Sequence, residues 1–152
     1  MYNIIRQEAL NIRNTSDGQQ IFDCVRKKYV ALTPEEAVRQ NIILYLANVR
    51  NYPVSLMRVE VSMKLNGMQK RCDILMYGRN RSPLLMVECK AESVKISQSI
   101  FNQLSRYNLV FKVPYLVATN GTDTYCCKVN FKTQSYEFLN EIPAFETINC
   151  LF

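Results

Sequence analysis

The sequence predicts an α/β protein, with a central mixed sheet of four to six strands flanked by helices. Three observations carry this. Two segments, 33–50 and 97–111, place apolar residues at helical spacing. Short apolar runs bounded by turn residues read as strands. Their order is helix, three strands, helix, then two or three strands, which suits a layered mixed structure. A chain of 152 residues corresponds to about one domain. We therefore expect 1–152 to be a single domain, with a peripheral N-terminal segment at 1–20, a core over about 25–130 and a C-terminal extension at 131–152. Hydrophobic residues make up 48%, enough for a core that needs neither disulfide nor metal.

Taken in order, the first twenty residues read as polar and irregular, with Arg13-Asn14-Thr15-Ser16-Asp17-Gly18 as a loop or turn. Residues 21–25 suggest a short strand, and the basic run Arg26-Lys27-Lys28 reads as a solvated patch able to meet phosphates. Thr33-Pro34-Glu35-Glu36 is a helix start: Thr33 caps, Pro34 suits the first helical position, and Glu36 is placed to complete a capping box. Val38, Ile42, Tyr45, Leu46 and Val49 then form one apolar face, and Asn51-Tyr52-Pro53 stops the helix near Arg50. Residues 56–65 and 70–77 alternate as strands about the hairpin signal Asn66-Gly67. Leu84-Leu85-Met86-Val87 is a continuous apolar run of the kind found in central strands, and it ends in Glu88-Cys89-Lys90. The helix over 97–111 should bury Ile100, Leu104, Asn108 and Phe111. Tyr115–Thr119, 125–129 and an edge strand at 136–139 complete the pattern.

Composition narrows the function. Nineteen Lys+Arg against 13 Asp+Glu give a net charge of +6, which favours polyanionic partners such as nucleic acid. Histidine is absent, which excludes His-based triads, His-ligated zinc and a His general base. Six cysteines without a disulfide rhythm read as reduced thiols, and no basic-then-apolar leader opens the sequence, so we expect a cytoplasmic protein. No apolar stretch approaches the roughly 18 residues of a membrane span.

The informative segment runs from Arg71 to Lys90. Asp73 lies inside an otherwise apolar strand, and Glu88 and Lys90 end the next. Period-two alternation puts Glu88 and Lys90 on one side. Fourteen residues lie between Asp73 and Glu88, enough for adjacent antiparallel strands on which all three side chains converge. Charges in a central strand are costly unless paired or metal-bound, and two carboxylates suit a hard ion such as Mg²⁺. A nearby ammonium can position water and steady charge on a phosphate. The same residues admit a plainer reading, in which Asp73 is a satisfied structural carboxylate and Glu88–Lys90 a strand-end ion pair.

The pattern Asp-x14-Glu-x-Lys resembles the PD-(D/E)XK nuclease superfamily, with its restriction-endonuclease-like core. Gln103 and Tyr107 form the Gln-x-x-x-Tyr of the RecB-like branch on one helix face, and Glu35 stands where the superfamily often places an acidic residue on the first helix. Over longer stretches the chain resembles the N-terminal nuclease domain of type I restriction enzyme R subunits. The matching segments are Val30-Ala31-Leu32-Thr33-Pro34-Glu35-Glu36, Val38-Arg39-Gln40, Lys70-Arg71-Cys72-Asp73-Ile74, Val87-Glu88-Cys89-Lys90 and Tyr115-Leu116-Val117-Ala118-Thr119-Asn120-Gly121. R subunits continue into an ATP-driven motor, whereas this sequence carries no Gly-x-x-x-x-Gly-Lys-Ser/Thr loop. Cys72 stands in place of the motif's proline.

The resemblance implies a Mg²⁺-dependent DNA endonuclease, with Mn²⁺ able to substitute. Asp73, Glu88 and the Cys89 backbone carbonyl would be the metal ligands. Lys90 would orient the attacking water, Gln103 would hold Lys90 or the DNA, Tyr107 would support the site and Glu35 would join it. DNA is the expected partner; a separate motor, methyltransferase or specificity subunit and a homodimer are further candidates. The alternatives are a non-catalytic nucleic-acid-binding or assembly module on the same fold, and a repair-like or toxin-like nuclease acting on structured DNA or RNA. Glu60 is expected to pair with Arg39 or Arg71, and adjacent Cys126-Cys127 to pack in the core. Removing a carboxylate from the cluster is expected to relieve repulsion and leave stability intact.

Overall fold

The computed structural model describes residues 10–150; the leader reading of residues 1–8 lies outside them. The chain opens with an antiparallel meander of β1 (Ile12–Thr15), β2 (Gly18–Asp23) and β3 (Lys28–Ala31). Residues 13–18 are thus mostly strand, contrary to the irregular segment expected. The reason lies in how β1 is held. All four of its residues are exposed, so no apolar alternation marks it. Backbone pairing and polar cross-strand bonds hold it instead, Arg13 to Gln20 at 2.7 Å and Gln19 to Asn14 at 3.1 Å.

Helix α1 (Pro34–Asn48) begins as its sequence dictates, with the Thr33 hydroxyl accepting from the Glu36 amide at 3.0 Å. Its apolar stripe buries Val38, Ile42, Tyr45 and Leu46. Next come β4 (Met57–Leu65), β5 (Met68–Tyr77) and β6 (Pro83–Cys89), then α2 (Gln98–Phe111), β7 (Tyr115–Thr119), β8 (Thr124–Asn130), β9 (Ser135–Leu139) and a short α3 (Phe145–Asn149). Asn66 and Gly67 both take positive φ, 50° and 77°, as the β4–β5 hairpin turn requires. The main sheet has six strands in the order β4-β5-β6-β7-β8-β9. It is mixed: α2 carries the chain across so that β7 runs parallel to β6, while the other neighbours are antiparallel.

Two apolar layers sandwich the sheet. Ile42 and Leu46 of α1 cluster with Ile74, Met76, Val87, Phe145 and Ile148. Ile100 and Leu104 of α2 cluster with Leu75, Met86, Leu116 and Cys127. Strand β6 lies between them and is buried at every residue after Pro83. Asn108 is buried as expected, where its side chain brackets the backbone of Val113 at 2.7 and 3.0 Å. Phe111 is only partly covered, and Tyr107 takes its place among the buried residues. The segment after β9 is packed, since Phe145 and Ile148 are fully buried. Among the described residues, no helix is long and apolar enough to cross a membrane.

Two departures from ladder regularity flank Asp73 on β5. Pairing of β5 with β6 runs from the Tyr77 end to Ile74↔Val87; one more step in that register sets Asp73 opposite Glu88. On the other side of β5, Val59↔Ile74 and Val61↔Cys72 are paired, but Glu60, across from Asp73, is not. Glu60 has φ 51°, a left-handed conformation that costs a non-glycine residue about 1–3 kcal/mol.

Candidate active site

Asp73 and Glu88 are both buried, 7% and 4% exposed, where β5 and β6 part. Their partners differ. Asp73 Oδ2 accepts the backbone amide of Cys89 at 2.7 Å, replacing a ladder bond, and Oδ1 accepts from Arg39 Nη2 of α1 at 2.8 Å. Glu88 engages α2 and the strand end: its Oε1 accepts from Lys90 Nζ at 2.6 Å and from Gln103 Nε2 at 2.5 Å. The backbone of Lys90 is tied to β7 through its amide and the Thr119 carbonyl, 2.9 Å apart. Gln103 Nε2 also lies 3.2 Å from the Tyr107 hydroxyl. The i, i+4 pair therefore does share a helix face turned to the site, but Gln103 holds Glu88 and not Lys90.

Electrostatics follow from burial and proximity. Burial, reinforced by the Asp73 charge, pushes the Glu88 carboxyl up to about 7 against the opposing pull of Lys90 and Gln103. Burial acts to lower Lys90, but Glu88 and then Asp73 more than reverse this and raise it above its ordinary value. Lys90 is thus a persistent cation and not a proton acceptor at neutral pH. The Cys89 thiol is fully buried and pushed well up by burial, which leaves it inert; its side chain belongs to the core on the α1 side. Glu35 sits at the rim, its side chain 45% exposed and 3.8 Å from Arg39 Nη2, with its charge felt at Lys90 and Cys89.

Sequence reasoning overlooked the network behind Asp73. Arg39 is 3% exposed. Its Nη1 reaches Glu36 Oε2 at 2.5 Å and lies 3.6 Å from Glu60 Oε1. Glu36, expected to complete a capping box, turns its carboxylate to Arg39, to Gln40 at 2.9 Å and towards Arg26 at 3.5 Å. Glu60 pairs with both of its expected partners, Arg39 and Arg71 (3.3 Å), and also with Arg26. The basic run is therefore not wholly solvated, because Arg26 also binds the buried Asp23 at 2.5 Å. One signal pointed to this network: Arg39 falls within the apolar stripe of α1, where a charge must be paired.

The donor set fits a hard divalent ion. Two buried carboxylates lie on neighbouring strands where the ladder stops, Asp73 held from α1 and Glu88 from α2, and the charge of Asp73 is felt at Glu88; among the described residues no side chain donates to Glu88 Oε2. Burial, and after it the Asp73 charge, disfavour an ionised Glu88, and a cation between the two carboxylates would offset both. Asp73, Glu88 and a backbone carbonyl are a sparse set: among the described residues, no three His, Cys, Asp or Glu side chains gather as a metal centre. Cys126 and Cys127 are fully buried and belong to opposite apolar layers. A hollow of about 430 Å³ between α2 and the β8–β9 hairpin, lined by Arg106, Leu109, Phe131 and Tyr136 among others, shares no residue with the site.

Residues 34–143 match the family described as type I restriction enzyme R protein N terminus. In fold, the chain is similar to the fragment structure of an HsdR subunit of a type I restriction enzyme from Vibrio vulnificus YJ016, with 18% identity and a TM-score of 0.55. The similarity covers 78% of this chain and 25% of that one, so the chain spans about a quarter of that relative's length. No curated protein matches the chain.

Proposed function

The chain belongs to the family of type I restriction enzyme R protein N termini, and from that premise we propose that it is a metal-dependent nuclease domain of the PD-(D/E)XK type, hydrolysing DNA phosphodiester bonds. The observation that carries this reading is the meeting of Lys90 and Gln103 on one oxygen of Glu88, beside the charge of Asp73. A structural ion pair does not need the second carboxylate, which makes Glu88 costlier to bury.

Asp73, Glu88 Oε2 and the Cys89 carbonyl would hold Mg²⁺ or Mn²⁺. The ion supplies positive charge that polarises the scissile phosphate and acidifies water. The ammonium of Lys90 orients the attacking water and balances the charge that builds on the phosphate in the transition state. Gln103 fixes the Glu88 carboxylate, and Tyr107 supports Gln103. Glu35 adds negative charge at the rim. The displacement is in-line and leaves a 5′-phosphate, as in the superfamily. DNA is the substrate, and a motor, methyltransferase or specificity subunit is the class of protein partner that the family suggests.

The test is nicking of supercoiled plasmid DNA with Mg²⁺ or Mn²⁺, alongside Lys90→Ala protein. Metal-dependent nicking that the variant lacks supports the reading. Wild-type protein that binds DNA without cutting it, with either ion, replaces it with the non-catalytic module.

A further inference from the structure

Arg39 is a buried guanidinium with four carboxylates around it at unequal distances. Its Nη2 is 2.8 Å from Asp73 Oδ1 and 3.8 Å from Glu35 Oε1, and its Nη1 is 2.5 Å from Glu36 Oε2 and 3.6 Å from Glu60 Oε1. Its Nε is buried and unpartnered among the described residues, which is unfavourable for a buried donor. The fork is divided between two groups of carboxylates, with one short contact to each, Asp73 through Nη2 and Glu36 through Nη1. Glu60 joins this cluster from β4, where it lies opposite Asp73 of β5 with a left-handed backbone, φ 51°.

The charges around it are unbalanced. Asp23, Glu35, Glu36, Glu60, Asp73 and Glu88 face Arg26, Arg39, Arg71 and Lys90. With all ionised, two negative charges are left over, the complement of one divalent cation.

We propose that Arg39 is a positioning residue that acts as a latch on Asp73: it holds this carboxylate in place when the site has no cation, and moves towards Glu36 and Glu60 when a divalent ion takes Asp73 Oδ1. The inference rests on the reading of Asp73 and Glu88 as a metal site. A guanidinium and a metal ion compete for the same oxygen, so ion affinity depends on how well Arg39 is received elsewhere. Glu36 and Glu60 provide that second seat, and Arg26 competes with Arg39 for both of them. Residues that touch neither ion nor DNA therefore set the occupancy of the site.

The latch is tested by calorimetric Mn²⁺ titration of the full chain as wild type, Glu60→Gln, Arg39→Lys and the double variant, with folding checked by urea melts. Glu60→Gln weakens the second seat, so Mn²⁺ affinity should fall about threefold or more, as expected within one side-chain network. A lysine at 39 presents one compact charge that cannot bridge both groups, so the Glu60 effect should shrink to under about twofold in that background. Equal Glu60 effects in both backgrounds indicate a simple field through space and overturn the latch. Should Arg39→Lys protein not fold, the wild type alone decides the matter. The Arg39 side-chain ¹⁵N–¹H NMR signals should shift on Mg²⁺ titration, in step with saturation, and signals that stay fixed while Mg²⁺ binds overturn the proposal. Wild-type protein that binds neither ion overturns the metal-site reading and the latch with it, whereas binding without coupling overturns the latch alone.

Discussion

Asp73 accepts the Cys89 amide at 2.7 Å across the point where the β5–β6 ladder stops. A side chain thereby takes the place of a backbone carbonyl in satisfying β6, and the two strands part without leaving that buried donor unpaired. The same carboxylate neutralises Arg39. Asp73 therefore supports the fold, and these two contacts argue against the expectation that its removal only relieves repulsion.

Asp73→Ala should destabilise the metal-free protein by about 3–5 kcal/mol, the usual result of stripping one partner from a buried ion pair. Urea denaturation measures this. A variant within about 0.5 kcal/mol of wild type would mean that Arg39 is satisfied by Glu36 alone.

Glu88→Gln should act in the opposite sense, and only at higher pH. The folded-state pKa of Glu88 is about 7, above its ordinary 4.5. The folded state thus binds a proton that the unfolded state releases between these values, and wild-type stability falls as pH rises through that window. Thermal melts without metal should show the variant gaining on wild type from pH 5 to pH 8. Parallel pH profiles would show that Glu88 carries no such penalty.

Lys90→Ala should lower cleavage by about 10²–10³, the usual cost of losing one charge-stabilising group in a transition state. Mn²⁺ affinity should not weaken, because the lysine is a cation and not a ligand. Cleavage at the wild-type rate would remove Lys90 from the mechanism.

Gln103→Leu should move the pH midpoint of Mn²⁺ binding upwards by up to about one unit. Gln103 donates to the charged form of Glu88 and lowers its pKa, and a lost hydrogen bond is worth about 0.5–1.5 kcal/mol. Tyr107→Phe leaves the Gln103–Glu88 bond intact and should move the midpoint little. The comparison separates a positioning role for Gln103 from simple packing of α2.

Much of the fold was legible because its main elements declare themselves locally. Thr33-Pro34 starts α1, Asn66-Gly67 turns the β4–β5 hairpin, and the apolar run at Leu84 announces a strand covered on both faces. The initial meander was legible only in part: residues 21–25 announced the end of β2, but β1 carries no apolar alternation and is held by pairing with β2. Residues 145–149 were passed over because five residues are too few to show helical periodicity; they are helical because Phe145 and Ile148 dock on the α1 side of the sheet.

The sequence by itself determined the layered mixed sheet, the nearness of Glu88 to Lys90 and the alignment of Gln103 with Tyr107. The first follows from the order of the elements, the other two from periods of two or of four along the chain. Only the tertiary structure decided the partners of Asp73, the place of Arg39 between two groups of carboxylates and the burial of Arg26. Those contacts join residues more than thirty positions apart, Arg39 to Asp73 and Arg26 to Glu60 among them. A buried charge must find some counter-charge, but which one depends on how α1 and the meander pack against the sheet, and no local pattern encodes that.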